Sequence, residues 1–133
     1  MQYILLDYVQ EAGWPALTKD EQVHWLGAYV AYVEAMAKAG VLRGSNGLQP
    51  TSSATTVRTA NGKTQVLDGP YTETKEQLAG FHIIEVDNLD AAISWAARCP
   101  TSIHGVVEVR PISEVKLTEL IEQIRASITE RPA

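Results

Sequence analysis

Asp68 is followed by Gly69 and Pro70. Pro70 fixes its own φ and drives Gly69 out of the helical region, so a carboxylate at the end of a strand would be held rigidly there. Such a group can do acid–base work in a cleft, or its oxygens can bond the amides of their own turn. Glu73, Lys75 and Glu76 follow closely. They could line the same cleft, with Lys75 attracting an anionic substrate, or form a solvated charge cluster. His24 offers an imidazole, which both takes and gives a proton near neutral pH, or is simply an exposed first-turn histidine. His82 alternates with Ile84 and Val86, the pattern of a hydrogen-bonded core or interface histidine, whereas His104 falls in a loop. Asp7, Glu85, Glu108 and Arg110 lie on apolar strand-like stretches, where buried charges need partners. Arg110 pairing with these carboxylates would make an ion pair at an interface, or a polar floor beneath a pocket. The expected set is therefore Asp68 and His24 as catalytic residues, with Glu73, Lys75, Glu76 and Arg110 binding substrate.

Other chemistries find no pattern. The three histidines fall in different elements, and with only one cysteine, Cys99, neither an internal disulfide nor a cysteine-rich zinc site can be built. Cys99 precedes Pro100 at a helix end and reads as a packing residue. No glycine-rich phosphate loop follows a strand and no serine sits in a nucleophile elbow, so no cofactor or metal is expected. A net charge of -5 lacks the basic footprint of nucleic-acid binding. Residues 1–9 are apolar but short, carry Asp7 and lack a basic leader. No run approaches the roughly 18 apolar residues of a membrane span. A cytoplasmic protein that binds neither membrane nor nucleic acid is expected, and one cysteine suits a reducing compartment.

The elements that must position these groups follow from periodicity. A chain of 133 residues with 45% hydrophobic side chains suits one domain. Residues 1–9 read as a strand and 11–17 as a loop. Thr18 opens a long helix ended by Gly40, with Val23, Leu26, Val30, Val33 and Ala37 as its expected buried stripe. His24, Ala28, Ala31 and Ala35 form an adjacent stripe of small residues beneath one imidazole. An extended segment starts at Val41, Ser45-Asn46-Gly47 signals a turn, and residues 48–51 and 54–58 look like strand pieces. Asn61-Gly62 signals a hairpin between 55–59 and 64–67. Residues 73–78 suggest a helical turn, with Thr74 and Gln77 at capping-box spacing. Then come a strand at 81–86, a helix at 89–98 buried through Leu89, Ala92, Ile93 and Ala96, a strand at 105–110 and a final helix at 113–128. Without the hairpin and the last helix, the order is β-α-β-β-α-β, the ferredoxin-like split βαβ unit. Its sheet has helices on one face only, so the other apolar face calls for a second copy: a homodimer, with the last helix reaching across.

The run Asp68-Gly69-Pro70-Tyr71-Thr72-Glu73-Thr74-Lys75-Glu76-Gln77-Leu78-Ala79-Gly80-Phe81 resembles the signature of the YCII-related family in its DGPF-motif branch. Tyr71 stands where that branch usually has phenylalanine. Tyr3-Ile4-Leu5-Leu6, Ala39-Gly40-Val41-Leu42, Leu48-Gln49-Pro50, Ala97-Arg98-Cys99-Pro100 and Glu108-Val109-Arg110-Pro111-Ile112 carry the resemblance over residues 1–112, leaving 113–133 as a C-terminal helix and tail. The resemblance implies an α+β, ferredoxin-like fold assembled as a dimeric α+β barrel. Relatives in the wider group carry a proposed His–Asp pair with the histidine on the first helix, where His24 lies. One branch dehydrochlorinates an aromatic diol, and other members occur beside or fused to extracytoplasmic-function sigma factors. The expectation is a small-molecule ligand with cofactor-free, lyase- or isomerase-like acid–base chemistry. The alternatives are a non-catalytic dimeric module with a sigma factor as partner, or a dimer whose signature only builds a turn and an interface.

Overall fold

A computed structural model of the chain describes residues 1–130, so the end of the expected C-terminal tail, 131–133, lies outside the described residues. A four-stranded antiparallel sheet forms from β1 (Gln2–Val9), β2 (Leu42–Gly47), β5 (Gln77–Glu85) and β6 (Val106–Pro111), in the order β2-β5-β1-β6. With the separate hairpin of β3 (Thr55–Ala60) and β4 (Lys63–Asp68) set aside, this is the ferredoxin-like order. The helices are α1 (Gly13–Ala16), α2 (Lys19–Lys38), α3 (Leu89–Arg98), α4 (Thr101–His104) and α5 (Leu117–Thr129).

Strand parity builds the core. Tyr3, Leu5 and Asp7 on β1 stand opposite Ile84, His82 and Gly80 on β5, and these residues face the helices. Tyr32 and Met36 of α2, Ala92 and Ala96 of α3, and Cys99 close over them. Ile4, Leu6, Phe81 and Ile83 take the opposite parity and turn to the outer face, where they stay partly exposed.

Local chemistry sets the ends. The Thr18 hydroxyl accepts from the Glu21 amide at 3.1 Å while the Glu21 carboxylate accepts from the Thr18 amide at 3.0 Å, a complete capping box. These bonds hold the Glu21 carboxyl below the usual range. Asn61 and Gly62 both take positive φ (51° and 75°), the requirement of a tight two-residue hairpin turn. A Cβ on Gly105 would come within 2.2 Å of the Tyr8 carbonyl oxygen, so only glycine lets β6 dock beside β1.

Several expected elements are corrected. Residues 73–76 form no helical turn: the Thr74 hydroxyl bonds the Glu76 carbonyl, and Gln77 already belongs to β5, paired with Val9. Ser45-Asn46-Gly47 does not turn but pairs with His82, Phe81 and Gly80, because β5 offers a ladder that outweighs local turn preference. Residues 48–51 are not a strand; a single 3-10 turn follows at Thr51–Ser53. Short helices replace loop at Gly13–Ala16 and Thr101–His104. On α2 the buried residues are Tyr32 and Met36, while Val23 and Val30 remain 69% and 57% exposed. The larger side chains of Tyr32 and Met36 reach the sheet and fix the helix's rotation. On α3, Ala92 and Ala96 are buried but Leu89 and Ile93 are about half exposed. Every apolar residue of α5, from Leu117 to Ile128, is exposed.

Candidate functional site

The alanines of α2 decide where a ligand could lie. Ala28, Ala31 and Ala35 shorten one face of the helix, and an open groove of about 430 Å³ runs between it and the α3–α4 corner at Arg98, Pro100 and Ile103. His24 and Trp25 stand at one end and Tyr32 forms part of the wall. The Trp25 ring packs edge-on to His24 at 5.5 Å and to His104 at 4.7 Å. The Tyr29 hydroxyl bonds the Thr101 hydroxyl and lies 3.3 Å from Nε2 of His104, tying α2 to α4. The Arg98 guanidinium stacks over Trp95 at 4.3 Å. The groove thus combines aromatic walls, an imidazole and a fixed cation, the mix that suits a small planar anion.

One side chain behind this groove sits a buried polar cluster. Tyr32 packs edge-on against His82, with ring centroids 5.4 Å apart. His82 Nε2 lies 3.0 Å from Oδ2 of Asp7, and its Nδ1 lies 2.8 Å from the Ser45 hydroxyl. The Cys99 thiol donates to Oδ1 of Asp7 at 3.7 Å. An ionised carboxylate only accepts, so Nε2 meets Asp7 with its proton while Nδ1 bonds the Ser45 hydroxyl. The arrangement follows from the fold. Asp7 and His82 have inward parity on neighbouring strands, Ser45 stands opposite His82 on β2, and Cys99 caps α3. Burial and the nearby Asp7 carboxylate push the Cys99 thiol up to about 11. Desolvation likewise raises the Tyr29 phenol to about 12 and raises the Tyr32 phenol too.

The residues expected from sequence are dispersed. His24 lines the groove. Asp68 ends β4 on the hairpin, exposed and with no side-chain hydrogen bond among the described residues; its turn is held instead by the Gly69 amide on the Ala54 carbonyl at 2.7 Å. Glu73 and Lys75 are exposed and Glu76 is half-buried, on the irregular link before β5. None of these, nor Asp68, belongs to the groove lining that holds His24. Arg110 does not pair with Asp7. It stands opposite Ile4 on the outer face, Asp7 faces the helices, and the buried partner of Asp7 is His82. The apolar parity of His82 identified it as a hydrogen-bonded core histidine, and it is one; that Asp7 would be its partner was not apparent. Glu11 was also missed. Its carboxylate accepts from the Thr51 amide at 2.7 Å and hydroxyl at 2.8 Å, tying the turn after β1 to the hairpin's approach.

Comparison with known proteins shows what the chain is similar to. An uncharacterized protein of Rhizobium meliloti (strain 1021) is 37% identical over 122 residues, spanning 90% of this chain and 98% of that one. Among solved structures, the 5-chloro-2-hydroxyhydroquinone dehydrochlorinase TftG from Burkholderia phenoliruptrix AC1100, in complex with 2,5-dihydroxybenzoquinone, has a similar fold. Its TM-score is 0.50 at 14% identity, over 86% of this chain and 96% of that chain. The family model described as YCII-related domain matches residues 1–116, and with that match the chain belongs to the YCII-related domain family.

Proposed function

We propose that the chain binds a small planar, anion-bearing molecule in the α2 groove and carries out cofactor-free acid–base chemistry of the lyase or isomerase type on it. The observation that supports this most is the groove lining itself, with His24, Trp25, Tyr32 and Arg98 around about 430 Å³. Arg98 would hold the anionic edge, Trp25 and Tyr32 would cover the ring faces, and His24 would move the proton. The similarly folded TftG is named as a dehydrochlorinase and is bound to a dihydroxyquinone, a ligand of the size and planarity that this groove suits. Asp68, Glu73, Lys75, Glu76 and Arg110 take no part in this reading because none lines the groove.

Calorimetric titration with dihydroxybenzoquinone tests it. Saturable binding is expected. Arg98→Gln should weaken it by roughly tenfold or more, the loss of a charge-assisted hydrogen bond of about 1.5–3 kcal/mol. His24→Ala should keep binding and lose turnover of a halogenated hydroquinone. Binding and turnover that are unchanged in both variants would move the site elsewhere.

We further propose that the molecule works as a homodimer, joined through the outer sheet face and α5. Ile4, Leu6, Phe81 and Ile83 form an apolar patch on that face, and the stripe Leu120, Ile121 and Ile124 stays 42–52% exposed among the described residues.

A further inference from the structure

The geometry points to a divalent transition-metal site at Asp7, His82 and Cys99, one that takes a zinc-like ion. One carboxylate oxygen, one imidazole nitrogen and one thiol sulfur lie within 4.8 Å of one another, and all three residues are buried. Around an ion with metal–nitrogen and metal–oxygen bonds of about 2.0–2.1 Å and a metal–sulfur bond of about 2.3 Å, tetrahedral ligands stand roughly 3.2–3.7 Å apart. Nε2 of His82 lies 3.0 Å from Oδ2 of Asp7 and the Cys99 sulfur 3.7 Å from Oδ1, so with all three donors inside 4.8 Å, shifts of up to about 1 Å bring one atom of each to that range.

The donor set also fits in kind. Thiolate, imidazole and carboxylate are the ligands zinc favours, and two of them are anionic once the thiol gives up its proton. A dication then leaves the pocket electrically neutral, the state that burial demands. The second shell is already in place. His82 turns its other ring nitrogen to the Ser45 hydroxyl at 2.8 Å. A hydroxyl can accept as readily as donate, so the ring proton can move to Nδ1 and free Nε2 for the metal. Three protein ligands leave a fourth position, which is the pattern of a site that also takes water or a substrate atom. Tyr32 both packs on His82 and lines the groove, so it separates the cluster from the groove.

Cobalt(II) is the probe. The full chain, stripped with chelator, is titrated with cobalt both as folded and after refolding in its presence, since the buried site fills slowly. One equivalent should give visible bands of tetrahedral intensity and a near-ultraviolet sulfur-to-cobalt charge-transfer band, and zinc should displace the cobalt and raise the melting temperature. Cys99→Ser should lose the charge-transfer band, and His82→Asn should lose all bands. Because either variant can unfold, Ser45→Ala provides a second reading: it keeps all three ligands and should weaken affinity by about 10- to 100-fold. His24→Ala should bind cobalt as the parent does, which separates this site from the groove reading. No thiolate band in either preparation, or a band that survives Cys99→Ser in folded protein, would overturn the assignment and leave the trio as a hydrogen-bonded core contact.

Discussion

The residues that matter most chemically owe their properties to burial. Tyr29 is raised to about 12 and Tyr32 is raised as well, chiefly by desolvation. A phenol whose pKa is higher in the folded chain than its ordinary 10 favours the folded state below pH 10. That contribution fades as pH climbs from 10 through about 12. Tyr29 and Tyr32 should therefore ionise above the ordinary phenol range in a spectrophotometric titration. Tyr29→Phe should remove one late step and soften the alkaline loss of stability. Ionisation of both near the ordinary value in the folded protein would contradict this. At this scale the sequence was partly readable. His24 is visible as an imidazole beside a row of alanines, and that row does form a groove. The Asp7–His82–Cys99 cluster was not readable, because its contacts join residues 75 and 92 positions apart from three different elements. No local spacing encodes such a meeting; only strand register does.

Elements were readable where local chemistry alone decides them. The Thr18 cap and the Asn61-Gly62 turn need no tertiary partner, and both stand as the side chains dictate. Residues 45–47 and 73–78 have equally good turn and cap chemistry, yet the ladder of β5 recruits Ser45–Gly47 and Gln77 for itself. Gly105 shows the same dependence on neighbours. Its Cβ-free backbone lies against the Tyr8 carbonyl, so Gly105→Ala must push β6 from β1. We expect a loss of about 1–3 kcal/mol, as for other overpacked sites, read as a lower denaturation midpoint with an unchanged denaturant slope. A neutral result would mean that the α4–β6 corner yields freely.

For the whole molecule, the distribution of apolar surface is the main consequence of the fold. The inner face of the sheet is sealed by α2 and α3, whereas the outer patch and all of α5 remain in water in a single chain. Ile124 at 52% exposure and Leu117 at 78% are costly positions unless a second copy covers them. Light scattering should report twice the chain mass at micromolar concentration. Changing Ile121 and Ile124 to glutamate should halve it while circular dichroism stays constant. A monomeric parent would refute the dimer. No helix among the described residues is long and apolar enough to cross a membrane.

The sheet's two borders bear on how such copies can meet. β2 is irregular, with a register shift between Leu42 and Gly44, and β6 carries Glu108 and Arg110 outward and closes on Pro111. A kinked border and a charged one ending in proline are poor templates for adding a further strand. Growth by strand-on-strand templating into open-ended fibrils is thereby disfavoured along both borders. A chain this rich in uncovered apolar surface can then form a closed, countable assembly through its faces without seeding an unlimited one through its rims.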